Sequence, residues 1–144
     1  MYRISADTII SGDLAAVWTV VTDVDSWATW DPHEEEARLD EAFALGGTGW
    51  SKPRGGPGTL WTITEVIEQR RWSTECALPG GKLTGQNDFE QLGDGRIQCA
   101  KTVSVTGPLV PLFRLYFGRR IRRDIFKTWA ALERAAAVRA EMAS

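Results

Sequence analysis

A chain of 144 residues with a net charge of -2, 43% hydrophobic and 25% charged residues has the length of one domain with a real core. Its near-balanced charge excludes a general nucleic-acid binder. The opening MYRISADTIIS lacks the basic-then-apolar pattern of a secretory leader, and no run reaches the length of a bilayer span, so the expected setting is cytoplasmic without stable membrane insertion.

Residues 2–10 alternate, with Tyr2, Ile4, Ala6, Thr8 and Ile10 on one side, which predicts a half-buried strand ending at Gly12. Asp13 then stands as N-cap to LAAVWTVV, where Leu14, Val17, Trp18 and Val21 recur at helical spacing. In DVDSWATWDP a second short helix carries Trp27 and Trp30; Asp23 or Asp25 starts it and Pro32 stops it. Both rings are expected as plugs closing one end of the fold, with Trp30 the nearer to any cavity.

From His33 to Thr106 the period becomes two. Turns at ALGG, PRGGPG, EQR, PGGK and LGDG divide the region into strands over 34–42, 47–53, 59–68, 71–78, 82–91 and 95–106. Short connections predict antiparallel pairing. Alternation puts Trp72, Thr74 and Cys76, then Leu83, Asn87 and Phe89, then Cys99, Lys101 and Val103 on an inner face opposite polar residues, so one side of the sheet is covered. A bulge in TEVIEQRR or near KTVSV would exchange the faces beyond it. The cover is a helix over 109–141, along which Phe113, Phe117, Ile121, Ile125, Trp129 and Leu132 form an apolar stripe. Such a helix extends on the order of 40 Å, enough to cross the sheet.

Strand, two short helices, six-stranded meander and long helix is the helix-grip order: an α+β fold in which a seven-stranded curved antiparallel sheet surrounds a C-terminal helix. IISGDLAAVWTVVTDVDSWATWDP resembles the opening of the START-like (SRPBCC) superfamily in its polyketide cyclase/dehydrase-like branch, and LWTITEVIEQRRWSTE resembles that branch's later hairpin. The resemblance spans residues 1–144 as one domain. It implies a cavity between sheet and helix that holds a hydrophobic or aromatic small molecule, polyketide- or lipid-like, with no cofactor. Members include both ligand carriers and aromatase/cyclases, so binding alone and a cyclase-type reaction are both open. A homodimer is compatible with either.

The inner-face reading nominates rings at Trp50, Trp61, Trp72 and Phe89 on strands and Phe113, Tyr116 and Phe117 on the helix, with Thr48, Thr74, Asn87 and Lys101 as polar members. A ring on a pocket wall is also a core ring, so composition alone does not separate lining from core. Buried amide or ammonium groups need partners, water or a ligand. Lys101, if desolvated, would be a base or Schiff-base amine, with Tyr116 or Arg120 as carbonyl-polarising donors; the plainer reading lays its stem on apolar surface and its ammonium in solvent. Asp31, His33 and Glu35 alternate in DPHEEE, but one imidazole with hard oxygens is a poor metal set, and no metal site is expected. Cys76 and Cys99 have no metal-type spacing and sit two strands apart, about 9 to 10 Å, too far for a disulfide, and are expected as thiols. Arg114, Arg119, Arg120, Arg122 and Arg123 form a basic run suited to an anionic headgroup or acidic partner, or simply to solvent with ion pairs to the Glu-rich second strand.

Overall fold

In the computed structural model, which describes residues 1–143, strand β1 (Tyr2–Ser11) leads into helix α1 (Leu14–Thr22), a tight helical turn (Val24–Ser26) and helix α2 (Trp27–Trp30). Strands β2 (Glu34–Leu39), β3 (Thr48–Pro53), β4 (Thr59–Ile67), β5 (Arg71–Leu78), β6 (Gly81–Leu92) and β7 (Arg96–Thr106) follow as a meander. A short helix, α3 (Val110–Leu112), passes through a π-helical turn (Phe113–Phe117) into α4 (Gly118–Ala143). All pairings are antiparallel, in the order β1-β7-β6-β5-β4-β3-β2. The two edges are therefore β1 and β2, and α1 with α2 carries the chain from one to the other.

Local chemistry sets the helix starts. The Asp13 carboxylate accepts from the Ala16 amide at 3.1 Å, satisfying a donor that has no partner inside the helix. At α2 the aspartates work differently from the expected caps: the Asp23 backbone carbonyl accepts from the Ser26 amide at 3.0 Å, while the Asp25 carboxylate accepts from the Leu39 amide at 3.1 Å and ties the turn to β2. Long-range bonds hold α4 across the sheet: the Arg122 guanidinium donates to the Ser5 carbonyl at 2.7 Å, the Ser11 amide donates to Glu133 at 2.6 Å, and Arg139 meets Asp23 at 3.3 Å.

The larger core joins β1, β6 and β7 to α1 and α4 through Ile4, Val17, Trp18, Phe89, Ile97 and Trp129, and a smaller one joins Val24, Ala37, Trp61 and Ile63 at the β2 edge. Two bulges decide which residues face them. In β4 the pairing shifts between Ile63 and Glu65, so Thr64 is the extra residue and both Ile63 and Val66 pack inward. In β2 the shift lies between Glu34 and Glu36. No shift occurs in β7, and register places Ala6, Lys101, Asn87, Trp72 and Val66 side by side across five strands.

Strand β3 corrects an expectation. Gly49 is its buried residue, and the Trp61 indole lies so close that a Cβ on Gly49 would sit 2.3 Å from the ring. Trp50 and Thr48 therefore take the outer parity; Trp50 lies under the Arg38 guanidinium at 4.5 Å and folds onto Gly58. A glycine has no side chain to announce its face, and the pattern of large residues alone misassigns this strand.

Candidate functional site

Sheet and long helix do not meet everywhere; between them is a cavity of about 320 Å³. Helix α4 contributes Ile121, Asp124, Ile125, Thr128, Trp129 and Leu132, a stripe at steps of one, three and four, as a single helical face requires. From the sheet come Trp72, Leu83, Asn87, Phe89, Lys101 and Val103. The open end is closed by Val21, Trp27 and Trp30 with Asp31, His33 and Glu34.

Trp27 is the keystone of that end. Its ring stacks on Trp61 (centroids 5.7 Å apart, planes 15° from parallel) and meets Trp72 at 5.8 Å, while its indole N–H donates to the Val21 carbonyl at 3.0 Å. Trp61, whose N–H donates to Ser51 at 3.2 Å, thus backs the wall without lining it. Thr74 lies on the inner face beside Gly85 but outside the cavity. Phe113, Tyr116 and Phe117 also lie outside it: Tyr116 is 72% exposed, and Phe113 and Phe117 pack on each other at 5.3 Å. The expected apolar stripe enters the cavity only from Ile121 onward, because the π-helical turn changes the angular step just before it. Of the nominated residues, the structure brings Trp72, Asn87, Phe89 and Lys101 together on one cavity wall.

The polar end of the cavity was only partly legible. Sequence alternation grouped Asp31, His33 and Glu35, but the β2 bulge turns Glu35 out to Lys52 and leaves Glu34 lining the cavity. Asp31 accepts from the His33 amide at 2.9 Å and lies within 3.4 Å of the Thr128 hydroxyl, joining α2 to α4. Asp124, 3.9 Å from His33 Nε2, and Thr128 share the helix face of Ile121 and Ile125; that spacing is the signal that could have found them. Among the described residues, no cluster of three or more histidine, cysteine or acidic side chains is arranged to hold a metal ion.

Lys101 is half-buried and lines the cavity, and burial depresses its pKa below the ordinary 10.5, opposed by the charges of Asp31 and Glu34. Glu34 is shifted the other way, up to about 7, by burial first and by Asp31 second, with Lys101 pulling it down. The indole nitrogens of Trp30 and Trp72, Nε2 of His33 and one Glu34 oxygen are buried without a hydrogen-bond partner among the described residues. Asn87, 7% exposed, likewise has no side-chain hydrogen bond among the described residues. Such groups are costly unless something in the cavity meets them. Both thiols are free; Cys99 is pushed up to about 12 by burial, with Glu133 adding to the effect, and is unreactive near neutrality.

Glu34 makes stability depend on pH. Between its ordinary value of 4.5 and about 7 the native state holds a proton that the unfolded chain has released, so this contribution is present in acid and lost as pH rises through 7. Glu34→Gln is expected to be more stable than the parent at pH 8 by about 1 kcal/mol, the shift being discounted for partial solvent access, and to lose the advantage at pH 4.5. Urea melts at both pH values check this; an equal difference at both would show that Glu34 is not buried as a neutral acid.

The curled antiparallel sheet gripping a long helix defines a helix-grip protein. Residues 1–137 match the family described as polyketide cyclase / dehydrase and lipid transport, and the chain belongs to that family. Solved structures with the same fold include a START superfamily protein from Mycobacterium smegmatis (TM-score 0.69, 12% identity, all of both chains covered). Others are the protein NE0264 from Nitrosomonas europaea (0.77, 16%, covering 99% of this chain and 97% of that one) and a hypothetical protein from Helicobacter pylori (0.79, 12%, 94% and 88%). No curated protein matches the sequence.

Proposed function

We propose that this protein binds a small aromatic or otherwise apolar molecule in the cavity between sheet and helix, with a hydrogen-bond-accepting or anionic group placed at the Lys101 end. The observation that carries this reading is the set of polar groups among the cavity-lining residues: two buried indole N–H groups, those of Trp30 and Trp72, without a hydrogen-bond partner among the described residues, with the buried Asn87 and with Lys101 lining the same cavity. A ligand with an oxygen at one end of a ring system would meet those donors while its rings replace water against Phe89, Ile125 and Trp129. The cavity volume of about 320 Å³ lies at the small end of the range for ligand sites.

Naphthoate and its uncharged methyl ester serve as probes, read by quenching of the cavity tryptophans and by calorimetry. Saturable one-to-one binding is expected for both, with naphthoate the tighter. A charge-assisted hydrogen bond contributes about 1.5 to 3 kcal/mol, or roughly 10- to 150-fold. If neither probe binds saturably, the reading fails.

A second reading, a cyclase- or aromatase-type reaction, is favoured by one observation: an amine whose pKa is lowered and a carboxyl whose pKa is raised to about 7 line the same cavity. Lys101 as free amine would take a proton from carbon next to a carbonyl, and protonated Glu34 would donate to the carbonyl oxygen. Tyr116 is outside this arrangement, so the second donor falls to Glu34 or an indole. Deuterium exchange at the α-carbon of an aryl ketone tests it; exchange unchanged in Lys101→Met removes the reading.

A further inference from the structure

The start of the long helix carries a surface that the cavity does not use. Leu115 and Tyr116 are 74% and 72% exposed, and Leu112 and Phe117 are also open to solvent. Between Gly107 and Arg123 the chain has five arginines and no carboxylate. With the whole chain at -2, this stretch at +5 leaves -7 on the remainder. The protein is thus strongly polarised, and two of its most exposed apolar side chains, Leu115 and Tyr116, lie within the basic stretch.

The fold fixes which side of the helix is presented. Gly118 is buried on β1, where a Cβ would come within 2.4 Å of the Tyr2 hydroxyl, and the Arg114 guanidinium lies over the Tyr2 ring at 5.5 Å. With that side held down, Leu115, Tyr116 and Arg119 are turned to solvent. Arg120 and Arg123 reach Asp124 only at 3.9 and 3.7 Å, Arg122 donates to a backbone carbonyl, and Arg119 has no carboxylate partner among the described residues. None of these arginines pairs with β2, contrary to the expectation of ion pairs to the Glu-rich strand.

We infer that this face is a docking surface for an anionic lipid bilayer, on which Leu115 and Tyr116 enter the headgroup region and the arginines around them meet lipid phosphates. The arrangement is that of a helix lying in an interface: apolar tips beside cations, without a span. Among the described residues no helix is long and apolar enough to cross a membrane, and the attachment inferred is peripheral. A second copy is a poor occupant, because a two-fold interface would set one set of five arginines against another, and the nearby Asp124 is already taken up by Arg120 and Arg123. An acidic protein would satisfy the charge, but the apolar side chains here line no cavity or groove; they protrude, which suits a fluid surface.

Co-sedimentation with phosphatidylcholine vesicles, with and without phosphatidylglycerol, tests the inference on the intact protein. Binding is expected only to the phosphatidylglycerol vesicles and should fall as salt is raised. The double variant Arg119→Gln/Arg123→Gln is expected to bind about 25-fold more weakly, near fivefold for each arginine. Leu115→Ser/Tyr116→Ser, which alters only exposed side chains, should lose binding with an unchanged melting temperature. Absence of binding to anionic vesicles overturns the proposal, as does equal binding to pure phosphatidylcholine or binding indifferent to both double variants. Sedimentation velocity provides a further arm: a dimer abolished by Leu115→Ser/Tyr116→Ser would assign the face to a second copy and overturn the lipid assignment.

Discussion

Lys101→Met is expected to make the protein more stable and its cavity less discriminating. Among the described residues the Lys101 side chain, which lines the cavity, has no hydrogen-bond partner, Asp31 and Glu34 act on it only at a distance, and burial lowers its pKa below 10.5. Below the unfolded value the unfolded chain therefore binds the proton more readily than the native one. The resulting penalty is fully present below the lowered native pKa and fades as pH rises toward 10.5. Methionine fills similar space without a charge, so the variant should gain stability at neutral pH and lose that gain in strong base. The opposite effect falls on binding: naphthoate is expected to weaken roughly 10- to 150-fold, while its methyl ester changes little. Urea melts across the pH range and paired titrations check the two halves separately. A variant destabilised at pH 7, or one that weakens both probes equally, would show that Lys101 is a packing residue.

Trp27→Ala is expected to cost about 3 kcal/mol or more, the range for removing a large aromatic side chain from a packed site. The side chain touches two rings, Trp61 and Trp72, at 5.7 and 5.8 Å, and such pairs contribute beyond their buried area. Its N–H also satisfies the Val21 carbonyl at the end of α1. Removing it opens the cavity at the edge where α2 closes the sheet, so probe binding should fall together with stability. Trp27→Phe, which keeps an aromatic ring in the stack but loses the hydrogen bond and part of the ring area, should recover part of the stability. Guanidinium melts of the two variants distinguish these contributions; a loss below about 1 kcal/mol for the alanine variant would mean the end of the sheet is held elsewhere.

The two tryptophans of DVDSWATWDP show where sequence reading succeeds. Their spacing with Pro32 is enough to place them on a short closing helix, and the structure puts both on the cavity end, Trp27 against Trp61 and Trp30 with an unpaired N–H. Asn87 and Lys101 were legible for a similar reason: β6 and β7 pair without a register shift, so period two carries unbroken from Leu83 to Phe89 and from Ile97 to Val105. Trp50 was misplaced because the buried position of β3 is a glycine.

Periodicity and turn chemistry are local, so the order of elements, the antiparallel meander, the family and the inner face of the regular strands could all be read from the amino acids alone. The cavity's polar end was decided only by tertiary structure. Glu34 faces it because the bulge between Glu34 and Glu36 breaks the alternation that would have chosen Glu35, and Asp124 and Thr128 reach it because α4 lies across the sheet at one rotation about its axis. That rotation is set by contacts far apart in the chain, Gly118 on Tyr2, Arg122 on Ser5 and Glu133 on Ser11. No periodicity within the helix encodes them, since each depends on which residue of another element happens to lie opposite.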